Sequence, residues 1–318
     1  MNAFCRRFGV TIPIIQAPMG NIAGPALCRA VSRSGGLGSM GLTWAEESEA
    51  VVRVRSLAGL PFMVNYVLHF DPKTLWAAVD AGARIVGFSW GDPSPYIPEL
   101  RRRGVKIAIQ AGSVEGIRRF ASLEPDLLIL QGIEAGGHVQ STTPLRSMIG
   151  PAVDAAGGIP VAAAGGLADG RDIADVLELG AQAAVLGTRF LLADEADIHP
   201  NYQDALSRAT AEDTVLTTCF DGGWPSAPER VLRNSTFRVW EAAGCPATGE
   251  RPGEGENVAQ SGEGERILRY DSAAPRRQTV GDIESMCLYA GTGVGRLGSR
   301  GPAEQIVRKL WQEASIVR

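Results

Sequence analysis

The chain has 318 residues, of which 45% are hydrophobic and 21% charged, a composition that suits a globular protein with a large buried core. The net charge is −4, and the sequence has no basic stripe, which argues against a nucleic acid partner. No apolar run approaches the ~20 residues of a membrane span, which argues against a membrane partner. Five cysteines without a CxxC pair argue against a disulfide framework or a metal site, so we expect a cytoplasmic protein without a signal peptide.

A repeated unit runs through the first 190 residues: a helical pattern, then a glycine, then a short apolar run. The glycine is typical of a helix end, and the apolar run is typical of a strand buried on both faces. Residues 45–57, 71–81 and 169–179 have the apolar spacing of intervening helices. Eight strands are predicted in this way, near residues 12–17, 37–41, 62–67, 84–89, 106–110, 127–131, 159–164 and 183–188.

Eight strands that alternate with helices predict a (β/α)8 (TIM) barrel over residues 1–190, with an open doubly wound sheet as the alternative. Residues 191–318 interrupt the pattern and are expected to form a cap or lid segment with a C-terminal helix packed on the barrel. Helical pieces are predicted at 201–210, 230–243 and 303–313. The Gly- and Glu-rich stretch 246–278 is expected to be a solvated, mobile loop.

Two glycine-containing segments indicate a phosphate site at the end of the barrel. Gly165 and Gly166 follow the seventh predicted strand, and Gly187 and Thr188 end the eighth. Loops at these positions commonly bind phosphate through backbone N–H groups, and a threonine hydroxyl adds a donor. Ordinary tight turns are the alternative interpretation.

His138 ends the run Gln131-Gly-Ile-Glu-Ala-Gly-Gly-His138, in a loop that two glycines make flexible after the sixth predicted strand. An imidazole at the carboxyl ends of barrel strands suits general acid–base catalysis, whereas a surface loop histidine is the plain alternative. His69 follows the third strand on the same face, and His199 lies in a loop beside Pro200.

Amide side chains end three of the predicted strands: Asn65, Gln110 and Gln131. An amide donates and accepts at once, which matches the alternating edge of a flavin ring. Cysteine nucleophiles are poorly supported, because Cys28 and Cys219 lie in patterns typical of buried thiols. The glycines of residues 291–298 do not follow a strand in a βαβ unit and therefore do not indicate a dinucleotide site.

Together these segments resemble the nitronate monooxygenase family, formerly called 2-nitropropane dioxygenases. The resemblance covers about residues 10–190 and resumes weakly at 279–284 and 288–291. Its most specific element is Glu-Ala-Gly-Gly-His, ending at His138. The other matching segments are Pro13-Ile-Ile-Gln-Ala-Pro-Met-Gly20, Gly35-Gly-Leu-Gly38, Asn65, Ala164-Gly-Gly-Leu-Ala-Asp-Gly170 and Leu186-Gly-Thr-Arg-Phe190.

The resemblance implies an FMN-dependent oxidoreductase in which His138 is catalytic and alkyl nitronates are oxidised with O2 to carbonyl compounds and nitrite. The expected partners are a small anionic substrate and O2, with a homodimer as a candidate assembly. The cofactor residues implied by the resemblance are Ala17, Pro18 and Met19 along the flavin ring, Asn65, Gln131 and Gly136 beside it, and Gly166 with Val185, Leu186, Gly187 and Thr188 at the phosphate.

This sequence departs from the family pattern at Gln140, where glycine is common, and the remainder of its cap, including residues 253–265, matches no assigned segment. The sequence therefore indicates the type of reaction better than it indicates the substrate. The alternative enzyme on this scaffold is an FMN-dependent enoyl-thioester (enoyl-ACP) reductase that uses NAD(P)H. A barrel that binds a phosphorylated ligand without catalysis is the alternative from another class.

Overall fold

The structure is a computed structural model that describes residues 2–317. The eight barrel strands begin and end within two residues of the predicted positions, and six further short strands were not predicted. The strands are β1 (Ile14–Gln16), β2 (Gly38–Gly41), β3 (Phe62–Val67), β4 (Ile85–Ser89), β5 (Lys106–Ala111), β6 (Leu127–Gln131), β7 (Gly137–His138), β8 (Val161–Ala164), β9 (Ala183–Leu186), β10 (Thr214–Thr217), β11 (Glu229–Leu232), β12 (Asn257–Gln260), β13 (Arg266–Leu268) and β14 (Val280–Gly281).

Eight parallel strands form one sheet in the order β1-β9-β8-β6-β5-β4-β3-β2. A parallel bridge between Ile15 and Leu37 joins the two end strands, with backbone hydrogen bonds of 2.9 and 3.0 Å around it. The sheet is therefore closed, which confirms the predicted (β/α)8 barrel over the open-sheet alternative.

The helices alternate with the barrel strands and cover the outside of the sheet. Among residues 2–317, none of them is both long and apolar enough to cross a membrane. The helices are α1 (Ala3–Phe8), α2 (Pro25–Arg33), α3 (Glu47–Arg55), α4 (Leu75–Asp80), α5 (Ile97–Arg102), α6 (Val114–Ala121), α7 (Leu145–Ala155), α8 (Gly170–Glu178), α9 (Pro200–Arg208), α10 (Ser235–Ala242) and α11 (Ala303–Val317).

The amino-terminal end of the barrel is closed by α1. Phe4 and Phe8 are buried in one cluster with inward-facing strand residues such as Ile129 and Val185. The Asn2 side chain donates a 2.7 Å hydrogen bond to the carbonyl of Gln182, just before β9, and fixes the helix there. Because this end is filled, only the carboxyl ends of the strands are left to form a cavity.

The C-terminal helix α11 packs against both α8 and α2, and therefore occupies the place of the eighth barrel helix. The cap is thus the chain between β9 and α11. It contains two small antiparallel sheets, β10-β11-β7 and β13-β12-β14. Through β7, the first of these sheets includes His138, so the flexible loop expected at this position is a strand paired with the cap.

Two expectations for the cap were wrong. Residues 230–232 belong to β11, because they pair with β10 across the sheet, and α10 begins only after the Asn234 side chain caps its first turn. The stretch 246–278 is not a solvated loop, since β12 and β13 form a hairpin within it and bury Val258, Ile267 and Tyr270. A few apolar residues among many glycines and glutamates are enough to form this sheet.

Candidate active site

A cavity of about 760 Å³ lies at the carboxyl ends of the barrel strands, beneath the cap. This volume is typical of a site for a cofactor or other small molecule. Ten of the fourteen predicted site residues line it, and they come from five of the barrel strands or the segments after them. These ten are His138, Ala17, Pro18, Met19, Asn65, Gln110, Gln131, Gly136, Gly187 and Thr188.

The other four predicted residues are not part of the cavity lining. Val185 and Leu186 are buried in β9. Gly165 and Gly166 follow β8 with φ of +128° and +68°, in the left-handed region that favours glycine. A Cβ atom on Gly166 would lie 2.9 Å from Thr292 Oγ1, so a cap segment packs directly on this turn.

Thr188 connects the same cap segment to the cavity. Its hydroxyl accepts a 3.0 Å hydrogen bond from the backbone N–H of Gly291. Gly136 also touches this segment, because a Cβ atom there would lie only 2.4 Å from the Gly291 nitrogen. The glycines of residues 291–298 do not form a dinucleotide motif in the sequence. In the structure, Gly291 and Thr292 pack against the two predicted phosphate turns.

The strand-end amides divide into two kinds. The Gln131 side chain donates to the carbonyl of His138 at 3.0 Å and accepts from the backbone N–H of Gln140 at 2.8 Å. Gln110 donates to the Gln140 side chain at 2.9 Å, so Gln140 helps to hold the histidine strand. The Asn65 side chain also lines the cavity, and its amide group makes no hydrogen bond to any residue in 2–317.

His138 forms part of an aromatic wall. Its ring stacks on Trp224 at 4.2 Å between centroids, with Tyr289 at 5.7 Å and the edge of Trp90 at 6.3 Å. The side chain is 17% exposed, while its Nε2 atom is fully buried without a hydrogen-bond partner among the described residues. Burial lowers the pKa of His138 to about 4, so the imidazole is neutral at physiological pH.

Glu229 is a site residue that the sequence did not reveal. It lies directly opposite His138 in the β11–β7 pair, and its Oε2 is 3.7 Å from His138 Nε2. Oε1 accepts a 3.0 Å hydrogen bond from the N–H of Phe220, and the Cys287 thiol lies 3.9 Å from Oε2. Burial raises the pKa of Glu229 to about 8.

The remaining candidates lie outside the centre of the site. The His69 ring stacks on the ring of Trp224 with 5.4 Å between centroids. The His199 side chain caps α9 by accepting a hydrogen bond from the N–H of Asn201. Cys28 and Cys219 are buried, and burial raises the pKa of both thiols, that of Cys28 to about 12. A thiol with a raised pKa is a poor nucleophile, as expected from the sequence.

Comparison with known proteins agrees with this geometry. A family model described as nitronate monooxygenase matches residues 3–79 and 69–313. The nitronate monooxygenase of Pseudomonas aeruginosa is 32% identical over 366 aligned positions, which cover 98% of this chain and 99% of that protein.

Solved structures agree as well. A nitroalkane oxidase from Streptomyces ansochromogenes superposes with a TM-score of 0.80 at 28% identity, covering 100% of this chain and 99% of the other. FabK from Thermotoga maritima has the same fold, with a TM-score of 0.80 at 24% identity over 100% of this chain and 97% of the other. The chain belongs to the nitronate monooxygenase family of flavin-dependent oxidoreductases.

Proposed function

We propose that the protein is an FMN-dependent nitronate monooxygenase that oxidises alkyl nitronates with O2 to carbonyl compounds and nitrite. The observation that carries this proposal is a neutral, partly exposed imidazole at the wall of a cavity of about 760 Å³ at the barrel strand ends. Family membership and the similarity to a nitroalkane oxidase support the same chemistry. A homodimeric assembly and a cytoplasmic location stay predictions.

The residues around the cavity fit FMN. The turn after β1 lines the cavity, and the Asn65 side-chain amide offers a donor and an acceptor without a hydrogen-bond partner among residues 2–317. We assign the ring to Ala17, Pro18, Met19, Asn65, Gln110, Gln131 and Gly136. We assign the phosphate to the turns after β8 and β9, with Gly187 and Thr188 in the cavity lining and Gly165, Gly166, Val185 and Leu186 outside it.

The chemistry that bound FMN supplies is the transfer of electrons from the substrate and onward to oxygen. The protein contributes binding and proton control. A neutral His138 has one N–H donor, which suits an anionic nitronate oxygen, and the rings of Trp90, Trp224 and Tyr289 exclude water around it. In a dry site, such a hydrogen bond is stronger than it is in water.

The second candidate function is an FMN-dependent enoyl-thioester reductase that uses NAD(P)H, which is favoured by the shared fold with FabK. The two functions are separated by turnover assays on the flavin-loaded protein. One assay follows O2 consumption and nitrite with an alkyl nitronate, and the other follows NADPH and NADH oxidation with an enoyl thioester.

We expect nitrite with the nitronate and no thioester-dependent oxidation of the reduced nicotinamides. Nicotinamide turnover without nitronate activity would replace the proposal with the reductase. If the protein is colourless and takes up no FMN, both enzyme functions fail, and the remaining hypothesis is a barrel that binds a phosphorylated ligand without catalysis.

A further inference from the structure

The carboxyl of Glu229 has no part in the function proposed above, although it is completely buried behind the catalytic candidate. Residues that face each other directly in antiparallel strands have their side chains on the same side of the sheet. The β11–β7 pairing therefore directs Glu229 and His138 towards each other from two distant parts of the sequence. Burying a carboxyl is costly, and this one lies beside a ring nitrogen that is buried without a hydrogen-bond partner among residues 2–317.

The surroundings of Glu229 favour its neutral form. It is packed beside an apolar cluster that includes Phe220, Phe237 and Tyr270. Within residues 2–317, its one ion-pair partner is His138, and no lysine or arginine pairs with it. The titratable groups that face it are His138 on β7, Cys219 and Asp221 before β11, and Cys287 and Tyr289 after α10.

None of these neighbours supplies a fixed positive charge. Asp221 is itself paired with Arg251 at 2.6 Å. A carboxyl in such a place holds its proton, which agrees with the raised pKa of Glu229 and the lowered pKa of His138. Between about pH 4 and about pH 8, both side chains are then uncharged.

The hydrogen bonds of the carboxyl indicate which oxygen carries the proton. Oε1 accepts a 3.0 Å hydrogen bond from the backbone N–H of Phe220, whereas the donor to Oε2 is the weaker Cys287 thiol at 3.9 Å, so Oε1 is the better placed of the two to be the carbonyl oxygen. The proton belongs on Oε2, which is the oxygen 3.7 Å from His138 Nε2. This distance exceeds a hydrogen bond of about 2.9 Å, and contacts in active sites commonly tighten when substrate binds.

We propose that Glu229 is a positioning residue that sets the tautomer of His138 by presenting a carboxyl proton to Nε2. His138 then holds its own proton on Nδ1, where it can donate to an anion in the cavity. The pair therefore presents a hydrogen-bond donor, not a free base, to an anionic substrate. The identity of the anion rests on the proposed function, whereas the tautomer of His138 does not.

Ionisation of Glu229 reverses this arrangement. A carboxylate accepts a proton from Nε2–H, which leaves Nδ1 without its proton and places a negative charge beside the anion site. Because Glu229 loses its proton as the pH rises through about 8, we expect kcat/KM for a nitronate to fall above that pH, about tenfold per pH unit.

The test compares pH profiles of kcat/KM for the flavin-loaded wild type, Glu229→Gln and the control Glu212→Gln. The glutamine keeps an oxygen for Phe220 and an N–H for Nε2, but it does not titrate. We expect activity within about threefold of wild type at neutral pH and no alkaline fall. Glu212 is exposed in the cap, and its variant should keep the wild-type profile. An alkaline fall that persists in Glu229→Gln would overturn the proposal.

A second measurement avoids dependence on turnover. Nitrogen-15 NMR of the histidine rings in the flavin-loaded, substrate-free protein reports which ring nitrogen of His138 is protonated, and His138→Ala assigns the signal. We expect Nδ1–H below about pH 8 and Nε2–H above it in the wild type, and Nδ1–H throughout in Glu229→Gln. A wild-type ring with Nε2–H at every pH would overturn the proposal.

The two measurements distinguish the two proposals. If the NMR result is as expected but nitronates are not turned over, the proposed function fails and the positioning role of Glu229 stands. If nitronates are oxidised with the same pH profile in both proteins, the function stands and the role of Glu229 fails.

Discussion

The barrel and the cap form opposite walls of the same cavity, and the two walls differ in the residue types that line them. The barrel wall consists largely of backbone turns and polar side chains, such as Asn65 and Thr188. The cap wall is aromatic, with Trp224 stacked on His138 and a buried carboxyl, Glu229, behind it. The comparison indicates a division of roles: the barrel wall suits a polar cofactor, while the cap controls the histidine and the substrate.

His138 connects the two regions. It follows barrel strand β6 in the chain, but its own short strand pairs with β11 of the cap. The Arg230 guanidinium reinforces this connection by donating to the carbonyl of Ile133 at 2.9 and 3.2 Å. Substitutions on the two walls should therefore affect cofactor retention and turnover separately.

The largest expected effect on turnover is at His138, which connects the two regions. His138→Ala should lower kcat/KM for a nitronate by about 10²–10³-fold, the loss expected on removing one preorganised hydrogen-bond donor from an anion site, and leave bound flavin unchanged. The measurement is O2 consumption together with the flavin-to-protein absorbance ratio. His199→Asn is the matched control, because asparagine also caps a helix and His199 caps α9. Wild-type turnover in His138→Ala would remove this residue from the mechanism.

A change on the barrel wall should affect cofactor retention instead. Thr188→Val removes the hydroxyl and should weaken FMN binding by about 10–100-fold, as expected for a lost hydrogen bond to a charged group. Thr188→Ser keeps the hydroxyl and should bind FMN like the wild type. Fluorescence titration of the flavin-free protein with FMN measures both dissociation constants. Equal affinity in Thr188→Val and the wild type would count against the phosphate assignment.

A change on the cap wall should have a smaller effect, and on turnover alone. Trp224→Ala removes the ring that stacks on His138 at 4.2 Å. Aromatic pairs are worth about 0.5–1.5 kcal/mol, so we expect kcat/KM to fall by about 2–12-fold while FMN affinity stays constant. Trp224→Phe should recover part of the loss. A large loss of FMN affinity in Trp224→Ala would contradict the division of roles.

The smallest of these expected effects concerns stability. The pKa of Glu229 is raised on folding, so its proton stabilises the native state most at low pH, and this contribution is lost as the pH rises through about 8. Thermal unfolding should therefore show the wild-type Tm falling between about pH 5 and about pH 9 by a few degrees more than the Tm of Glu229→Gln. Parallel Tm curves would show that Glu229 is not buried in its neutral form.

The two regions also differ in how much of them the sequence predicts. The barrel strands were predicted to within two residues, because parallel strands buried on both faces are continuous apolar runs between glycine-ended helices. The strand-end residues followed from that periodicity, so ten of the fourteen predicted site residues line the cavity.

The cap was predicted poorly for a physical reason. Its short strands are stabilised by pairing between distant segments, which local patterns do not record. Glu229 illustrates this, because only the register of β11 against β7 brings it to His138. The available signal was the charged pair Glu229-Arg230 between apolar residues, and this local pattern does not indicate which distant residue Glu229 meets.

The most direct test of the central claim is the visible spectrum of the purified, FMN-loaded protein as an alkyl nitronate is added without oxygen. We expect the flavin absorbance to fade on addition of the nitronate and to return when oxygen is admitted, with nitrite formed. Flavin bands that nitronates leave unchanged, and that fade only with NAD(P)H, would contradict it.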